Sequence, residues 1–328
     1  MWAFDLALHM LLVSSVVARK HRAGAVDAAV CRHRTSSHPV DEPTPIMLLK
    51  TAHTGSTWLQ ALVNELPGVY MRREGIRRGA KSLSNDATVV YSYLRTALAV
   101  PAENIESNAW VVTKASGRSP VAVRDVSAYA CAVGLSYSPI LDTEQLIPNI
   151  DSTLDRLVDD LPGLVTVVLM RSNIAKMALA ANGNGGNHNG TSVIKKVAQR
   201  PQALLKKMNI LNKRAKKLRK VQKRLQKRGV DTITIFYEDM QQNVTAQVER
   251  IVDRLNMSRS VITPQKLDTG VTKQHSDSIK ETLGEEAFNQ VVEYFRTNAP
   301  CYLTHVQSVR PEKLPVCCSP TTQCQQQF

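Results

Sequence analysis

Glycine and proline are scarce in this sequence, with 15 of each among 328 residues. Together with 43% apolar and 21% charged residues, that scarcity excludes a collagen-like chain and a wholly disordered one. Acidic residues are also in deficit, 28 against 42 Lys and Arg, so the formal net charge is +14. At roughly 100–200 residues per domain, the length allows one large globular domain or two ordinary ones.

Acidic residues are absent from residues 195–228, which hold 15 Lys and Arg residues. This block carries a charge of +15, and the whole chain carries +14, so the other 294 residues together carry −1. Within the block, apolar residues spaced by three or four predict an amphipathic helix over 202–227 with a single buried seam. The seam consists of Leu204, Met208, Leu211, Ala215, Leu218, Val221 and Leu225.

The charge of this helix has two interpretations. Either it is an ordinary solvated face, or residues 202–228 bind a polyanion such as an anionic glycan or an anionic membrane surface. Nucleic acid is the less favoured partner, because no aromatic residue interrupts the helix to stack on bases.

A run of about 20 apolar residues, the length that a membrane-spanning helix needs, is missing. Residues 6–18 are apolar and similar in length to the core of a secretory signal, although the usual positively charged start is absent. We expect residues 1–18 to be a signal peptide or signal anchor, with membrane contact through 6–18, and residues 19–43 to be a stem or linker. An irregular N-terminus without a targeting role is the alternative.

Cysteines number only six, of which four lie in the last 28 residues, Cys301, Cys317, Cys318 and Cys324. In a polar tail, residues 301–328, such a cluster favours disulfides over a metal site, because no histidine accompanies its last three cysteines. Three glycosylation sequons begin at Asn189, Asn243 and Asn256. Both features favour the lumen of the secretory pathway, and a secreted protein if the signal is cleaved.

Apolar runs with the length and composition of strands occur at 45–49, 109–113, 164–170 and 232–236. Helical patterns lie between and after them, and strand alternating with helix predicts an α/β domain over 44–300, with a central parallel sheet flanked by helices in three layers. Such a sheet binds ligands at the carboxyl ends of its strands. The predicted helices are 56–66, 151–160, 173–181, 202–227, 243–256 and 284–297, and 182–192 is an exposed loop.

The first predicted strand enters a turn of small residues and then a helix, over residues 50–58. This arrangement directs backbone N–H groups and the positive end of a helix dipole at one point, which makes an anion site. Gly55 permits close approach of a phosphate, and Ser56 and Thr57 add hydroxyl donors. The alternative is an ordinary helix N-cap at Thr54 or Ser56. An ATP or GTP phosphate loop is not matched, because paired glycines and a Lys after the glycine are lacking.

Residues 50–58 read Lys-Thr-Ala-His-Thr-Gly-Ser-Thr-Trp. This stretch resembles the 5'-phosphosulfate loop of sulfotransferases that use 3'-phosphoadenosine 5'-phosphosulfate, which reads K-[ST]-G-[ST]-[ST]-W or K-T-H-K-T-x-S-[ST]. Lys50 matches the first lysine, whereas His53 stands where such proteins usually carry Lys or Arg. The resemblance implies catalytic roles for Lys50 and His53, the latter as leaving-group acid or acceptor base, with the phosphosulfate nucleotide as co-substrate and no metal.

Three further stretches are similar to the same family in the same order. Arg171, directly after the strand 165–170, matches the family's 3'-phosphate arginine, although Ala180 stands where the accompanying Ser is expected. Residues 237–240, Tyr-Glu-Asp-Met, are similar to a Y-E-D-L strand end, and residues 272–279 to a late K-x-[SH]-x-x-x-[LI] segment. The resemblance covers about residues 45–300. Taken alone, an Arg after a strand is usually a surface residue.

The resemblance implies a sulfuryl transfer to a hydroxyl or amine acceptor, with a carbohydrate expected, as in the carbohydrate-modifying Golgi branch, in the Golgi lumen or membrane-anchored. The implied nucleotide-binding residues are Thr54, Gly55, Ser56, Thr57, Trp58 and Arg171. No general base is implied, since Ser116 stands where the family often has His, and Glu74 is a substitute or a surface carboxylate. A weakly active enzyme, or a non-catalytic protein that binds glycan or nucleic acid on the same fold, is the alternative.

Overall fold

A computed structural model describes residues 43–72, 87–99, 131–140, 146–147, 149–182, 200–263, 278–308 and 311 of the chain. Within these ranges, five strands form one sheet in the order β2-β3-β1-β4-β5, and every neighbouring pair is parallel. The strands are β1 Thr44–Leu49, β2 Val69–Arg72, β3 Ala132–Tyr137, β4 Val165–Met170 and β5 Asp231–Phe236.

Helices connect the strands and continue after the last one. The described helices are α1 Ser56–Asn64, α2 Ala87–Ala99, α3 Ile150–Asp160, α4 Ile174–Asn182, α5 Pro201–Lys227, α6 Tyr237–Gln242, α7 Val244–Arg254, α8 Ile279–Leu283, α9 Glu285–Asn298 and α10 Leu303–Gln307.

Strand β1 occupies the middle of the sheet, and all six of its residues are buried. Successive side chains of a strand point to opposite faces, so Ile46 and Leu48 pack with α1 and α7, whereas Met47 and Leu49 pack with α2, α3 and the second half of α5. Burial on both faces explains why β1 and β4 read as continuous apolar runs. The predicted three-layer α/β fold is thus confirmed.

Helix α5 has 27 residues and is about 40 Å long at 1.5 Å per residue, twice the roughly 20 Å of a six-residue strand. Its second half covers the sheet through Leu218, Val221 and Leu225. Its first half packs instead with α4, α9 and α10 in a separate cluster. The seven predicted seam residues are all buried, which confirms the predicted amphipathic helix.

Predicted and observed helix ends agree within two residues for 56–66, 151–160, 173–181, 202–227, 243–256 and 284–297. Strands β2 and β3, however, were not predicted. Strand β3 reads AVGLSY, and its Gly134 has a structural cause, since a Cβ there would lie 2.4 Å from Cγ2 of Ile46 on β1. The predicted strand 109–113 and most of the loop 182–192 lie outside the described residues.

Residues at the predicted start of the C-terminal tail belong to the packed structure: Tyr302 is fully buried, and Val306 is buried beside it. Cys131 and Cys301 are each disulfide-bonded. Cys317, Cys318 and Cys324 lie outside the described residues, so a disulfide cluster in the tail stays a prediction. No helix in the described part of the chain is long and apolar enough to cross a membrane, and residues 1–42 lie outside that part.

Candidate functional site

The strand order places a crevice at the carboxyl ends of β1 and β4. Chain connections leave β1 toward β2 on one side of the sheet, and leave β4 toward β5 on the other. Ligands of open α/β sheets bind where the connections from two neighbouring strands leave toward opposite edges of the sheet. Residues 50–55, after β1, and residues 171–173, after β4, therefore border the same crevice, although 118 positions separate His53 from Arg171.

The loop after β1 holds two left-handed backbone conformations, at His53 with φ 63° and at Gly55 with φ 86°. A left-handed non-glycine residue is uncommon and costs about 1–2 kcal/mol. Between the two, Thr54 is buried, and its hydroxyl donates a hydrogen bond of 2.9 Å to the carbonyl oxygen of Thr51. The buried hydroxyl holds the loop in this shape.

Gly55 is the N-cap of α1, and no side chain caps the helix there. The alternative prediction of an N-cap at Thr54 or Ser56 is therefore wrong, because the Thr54 hydroxyl is directed at Thr51 and not at a helix amide. Within the described residues, the amides of residues 54–57 donate to no protein acceptor. Consecutive unpaired amides at the positive end of a helix form an anion-binding site.

Glycine is required at position 55 for a second reason. A Cβ on Gly55 would lie 2.4 Å from Cδ2 and 2.7 Å from Cε2 of Tyr237. The Tyr237 ring is itself held between Trp58, edge-on at 5.9 Å between ring centroids, and the Arg171 guanidinium, 4.5 Å from the ring centroid. Close packing beneath the loop leaves no room for a side chain.

The other predicted loop residues differ in exposure. Lys50 is half-buried, and its amide extends the β1–β3 pairing through a hydrogen bond of 3.1 Å to the Tyr137 carbonyl oxygen. His53 and Thr57 are exposed, and Ser56 is half-buried. Trp58 is partly buried against the core on one face of the sheet. Its packing is therefore observed, whereas its contact with the nucleotide stays a prediction.

Arg171 lies beside this loop, but it is almost entirely buried, with 9% of its surface exposed. Its Nη1 donates to the carbonyl oxygen of His53 at 3.4 Å, and its Nε lies 3.9 Å from Oε1 of Glu238. Burial lowers the pKa of the Arg171 guanidinium, and the Glu238 carboxylate opposes that shift. An arginine remains charged in proteins, so the pair is a buried ion pair.

The carboxylate of Glu238 lies at the N-terminal end of α4. Its Oε2 accepts from the amide of Ser172 at 2.9 Å, and its Oε1 accepts from the amide of Asn173 at 3.0 Å. Asn173 caps α4, since its Oδ1 accepts from the Lys176 amide at 2.9 Å, and its Nδ2 donates to the Ser308 carbonyl oxygen at 2.9 Å. The end of β4, the end of β5 and the C-terminal helical segment thus meet beside the loop.

Sequence reasoning missed the roles of Tyr237 and Glu238, which entered it only as part of a family-like strand end. A usable signal was present: the adjacent strands β4 and β5 are followed within two residues by Arg171 and Glu238, of opposite charge. Of the other predicted positions, Ala180 is half-buried on α4. Glu74, Ser116 and residues 272–277 lie outside the described residues. Among described residues, no group of three or more His, Cys, Asp and Glu could hold a metal ion.

Comparison with known proteins gives little. No protein-family model and no curated protein matches the chain. Among solved structures, a sulfotransferase from Alicyclobacillus acidocaldarius is similar over 80% of this chain and 94% of its own, with 13% sequence identity and a TM-score of 0.36. A likeness of this degree assigns neither a family nor an activity to the chain.

Proposed function

We propose that the chain transfers a sulfuryl group from 3'-phosphoadenosine 5'-phosphosulfate to a hydroxyl or amine acceptor at the crevice between β1 and β4. The observation that carries this proposal is the row of unpaired amides at residues 54–57, at the start of α1, beside Lys50 and His53. The match of residues 50–58 to the phosphosulfate loop supports it.

The loop suits a 5'-phosphate for a physical reason. Its amides offer several donors at the positive end of a helix, and Gly55 has no side chain to keep an oxyanion away. The bound nucleotide supplies a sulfuryl group joined to that phosphate through a bridging oxygen. The reaction breaks the bond from sulfur to this oxygen and forms one from sulfur to the acceptor oxygen or nitrogen.

Lys50 and His53 supply the charge and proton chemistry. Transfer of this kind depends on positioning and on stabilising negative charge at the leaving oxygen. Lys50 supplies a cation, and the imidazole ring of His53 can either donate or accept a proton. His53 therefore donates a proton to the leaving oxygen when charged, or takes the acceptor proton when neutral.

The acceptor in this proposal is a carbohydrate, and the compartment is the lumen of the secretory pathway, including the Golgi, either through a cleaved signal or through an anchor at residues 1–18. Exposure of Asn243 and Thr245 supports this compartment, since a sequon must be accessible to carry a glycan.

Calorimetric titration with 3'-phosphoadenosine 5'-phosphate tests the proposal. We expect binding by the wild type and at least about tenfold weaker binding by the Lys50→Ala/His53→Ala double variant, because charge-assisted contacts of about 1.5–3 kcal/mol are lost. Lys213→Ala/Lys220→Ala, which removes exposed charges on α5, is the matched control and should leave the Kd unchanged. A labelled-sulfate screen of carbohydrate acceptors then tests the activity.

Two results would contradict the proposal. If the wild type does not bind the nucleotide, the function is wrong. If the Lys50→Ala/His53→Ala variant binds as tightly as the wild type, the residues are wrongly assigned even though the chain binds nucleotide.

A second candidate function, non-catalytic binding of a polyanion, rests on a surface of α5 that we name the lysine stripe: Lys206, Lys213, Lys220 and Lys227. The four are exposed and seven residues apart, so they follow one line about 31 Å long on the side opposite the buried seam. None forms an ion pair with a described residue. Unneutralised charge in such a line favours a polyanion.

The arginines at the end of α5 behave differently from the stripe. Arg224 is hydrogen-bonded to Asp155 through both Nε and Nη2, and Arg228 pairs with Asp159, both on α3. These arginines fix α5 to α3, while the stripe remains available. The test is elution from immobilised heparin against salt, since a stripe that binds an anionic glycan should require far more salt for elution than the pI alone predicts.

A further inference from the structure

Arg171 lies at the crevice and is of the residue type that binds phosphate, and groups of the protein from two other segments surround its guanidinium. A guanidinium makes a bidentate contact along one of two edges, formed by Nε with one Nη or by the two Nη atoms. Nε is buried and lies 3.9 Å from Glu238 Oε1. Nη1 donates to the His53 carbonyl oxygen. Nε has no hydrogen-bond partner at that distance, so the guanidinium makes one hydrogen bond, to the loop, beside its ion pair with Glu238.

The surroundings of Arg171 also connect it to the loop after β1. The face of its guanidinium lies over the Tyr237 ring, 4.5 Å from the centroid, and this ring contacts the position where a Cβ of Gly55 would be. The neighbouring amides of Ser172 and Asn173, which would otherwise attract an anion, donate to Glu238. The amides after β4 are thus occupied by a carboxylate of the protein, which also forms an ion pair with Arg171.

We infer that Arg171 is a positioning residue that holds the loop of residues 51–55 in its left-handed shape, and that its ion pair with Glu238 fixes the guanidinium beside the loop. This inference rests on the proposed function for its nucleotide test. It predicts that loss of Arg171 weakens binding at the loop whether or not the nucleotide carries a 3'-phosphate.

The nucleotide test compares the Kd of adenosine 3',5'-bisphosphate with that of adenosine 5'-phosphate, in the wild type and in Arg171→Met. A positioning role predicts that Arg171→Met weakens both ligands by the same factor, so that the ratio of the two Kd values changes by less than about threefold. A direct contact to the 3'-phosphate, worth roughly 10- to 100-fold, would instead weaken only the bisphosphate. That selective loss would overturn the inference.

A measurement without nucleotide separates this inference from the proposed function. Hydrogen exchange of the Trp58 and Leu59 amides, which donate to the Gly55 carbonyl oxygen at 3.0 and 3.1 Å, reports on the start of α1. Arg171→Met should accelerate exchange there, whereas Arg224→Met on α5, the matched control, should not. Unchanged exchange in Arg171→Met would refute the positioning role even if the wild type binds nucleotide.

Glu238→Gln provides a second route if Arg171→Met does not fold. It keeps one acceptor oxygen for the amides of Ser172 and Asn173 and removes the charge that anchors Arg171. We expect the same acceleration of exchange at Trp58 and Leu59, and no further acceleration in the Arg171→Met/Glu238→Gln double variant, because the two residues act as one unit. Additive effects of the two substitutions would count against this coupling.

Discussion

The loop after β1 and helix α5 are both suited to anions, but by opposite means. The loop uses backbone amides in a shape that Gly55, Thr54 and the Tyr237 ring determine. Helix α5 uses side-chain charge on an ordinary helix, whose backbone groups are paired within it. A backbone site depends on conformation and is lost with one misplaced atom, whereas a charged surface depends on the number of charges and on salt.

Gly55→Ala should give the largest effect, because it directly disturbs the backbone conformation of the loop after β1. The added Cβ would lie 2.4 Å from a ring carbon of Tyr237, and φ is +86°. The ring cannot move freely, since Trp58 and Arg171 hold it. We expect the free energy of unfolding in urea to fall by about 2–4 kcal/mol, and nucleotide affinity in calorimetry to fall at least about tenfold.

Gly229→Ala is the matched control. Gly229 has a φ of +76°, but no heavy atom lies within 4 Å of a Cβ placed there. It should lose only the backbone contribution, about 1–2 kcal/mol, with unchanged nucleotide affinity. If Gly55→Ala behaves like Gly229→Ala, the distinction between a conformational site and a charge site fails.

Lys213→Gln/Lys220→Gln in the lysine stripe should give a smaller, salt-dependent effect. Removing two phosphate or sulfate contacts lowers the slope of log affinity against log salt by about two for heparin, with nucleotide binding unaffected. The control is Lys280→Gln/Arg296→Gln, which removes two charges already paired with Glu285 and Glu293. Equal slopes for the two double variants would show that heparin responds to net charge and not to the stripe.

Arg224→Gln should give the smallest effect. The hydrogen bond from Arg224 lowers the pKa of Asp155 below its ordinary value. A lowered folded-state pKa adds stability above the unfolded value of about 3.9, and that stability is lost as the pH falls through the folded value. Because the pair is partly exposed, we expect Arg224→Gln to cost under about 1 kcal/mol at pH 7.

Urea unfolding at several pH values measures this last effect. The difference between wild type and Arg224→Gln should shrink as the pH falls through the lowered folded-state pKa of Asp155, and should vanish once Asp155 is protonated in both proteins. A difference that persists there would mean that Arg224 acts through packing and not through the ion pair.

Helix α5 was predictable because its information is local. Leu204, Met208 and Leu225 recur on one face, and the charges fill the others. The same holds for β1 and β4, whose burial on both faces gives unbroken apolar runs. Strand β3 was not predictable, because its Gly134 is required by contact with Ile46. That residue lies far away in sequence and opposite Gly134 in the sheet.

The turn between β1 and α1 was predictable in its position, whereas its role as an anion site stays a prediction. A loop of small residues between a buried strand and a helix indicates an anion site whatever the rest of the chain does. The environment of Arg171, by contrast, was not predictable. Its partners, the His53 carbonyl oxygen, the Tyr237 ring and the Glu238 carboxylate, come from two other segments, and no pattern around position 171 predicts them.

The sequence by itself determined the α/β layering, the seam and charge of α5, and the turn of small residues between β1 and α1, because each depends on neighbours along the chain. Only the tertiary structure decided that Gly55, not Thr54 or Ser56, caps α1, that the loop amides stay unpaired, and that Glu238 engages Arg171. The physical reason is that hydrogen bonds and ion pairs are made between groups within a few ångströms. Parallel strand order, and not sequence separation, brings those groups together.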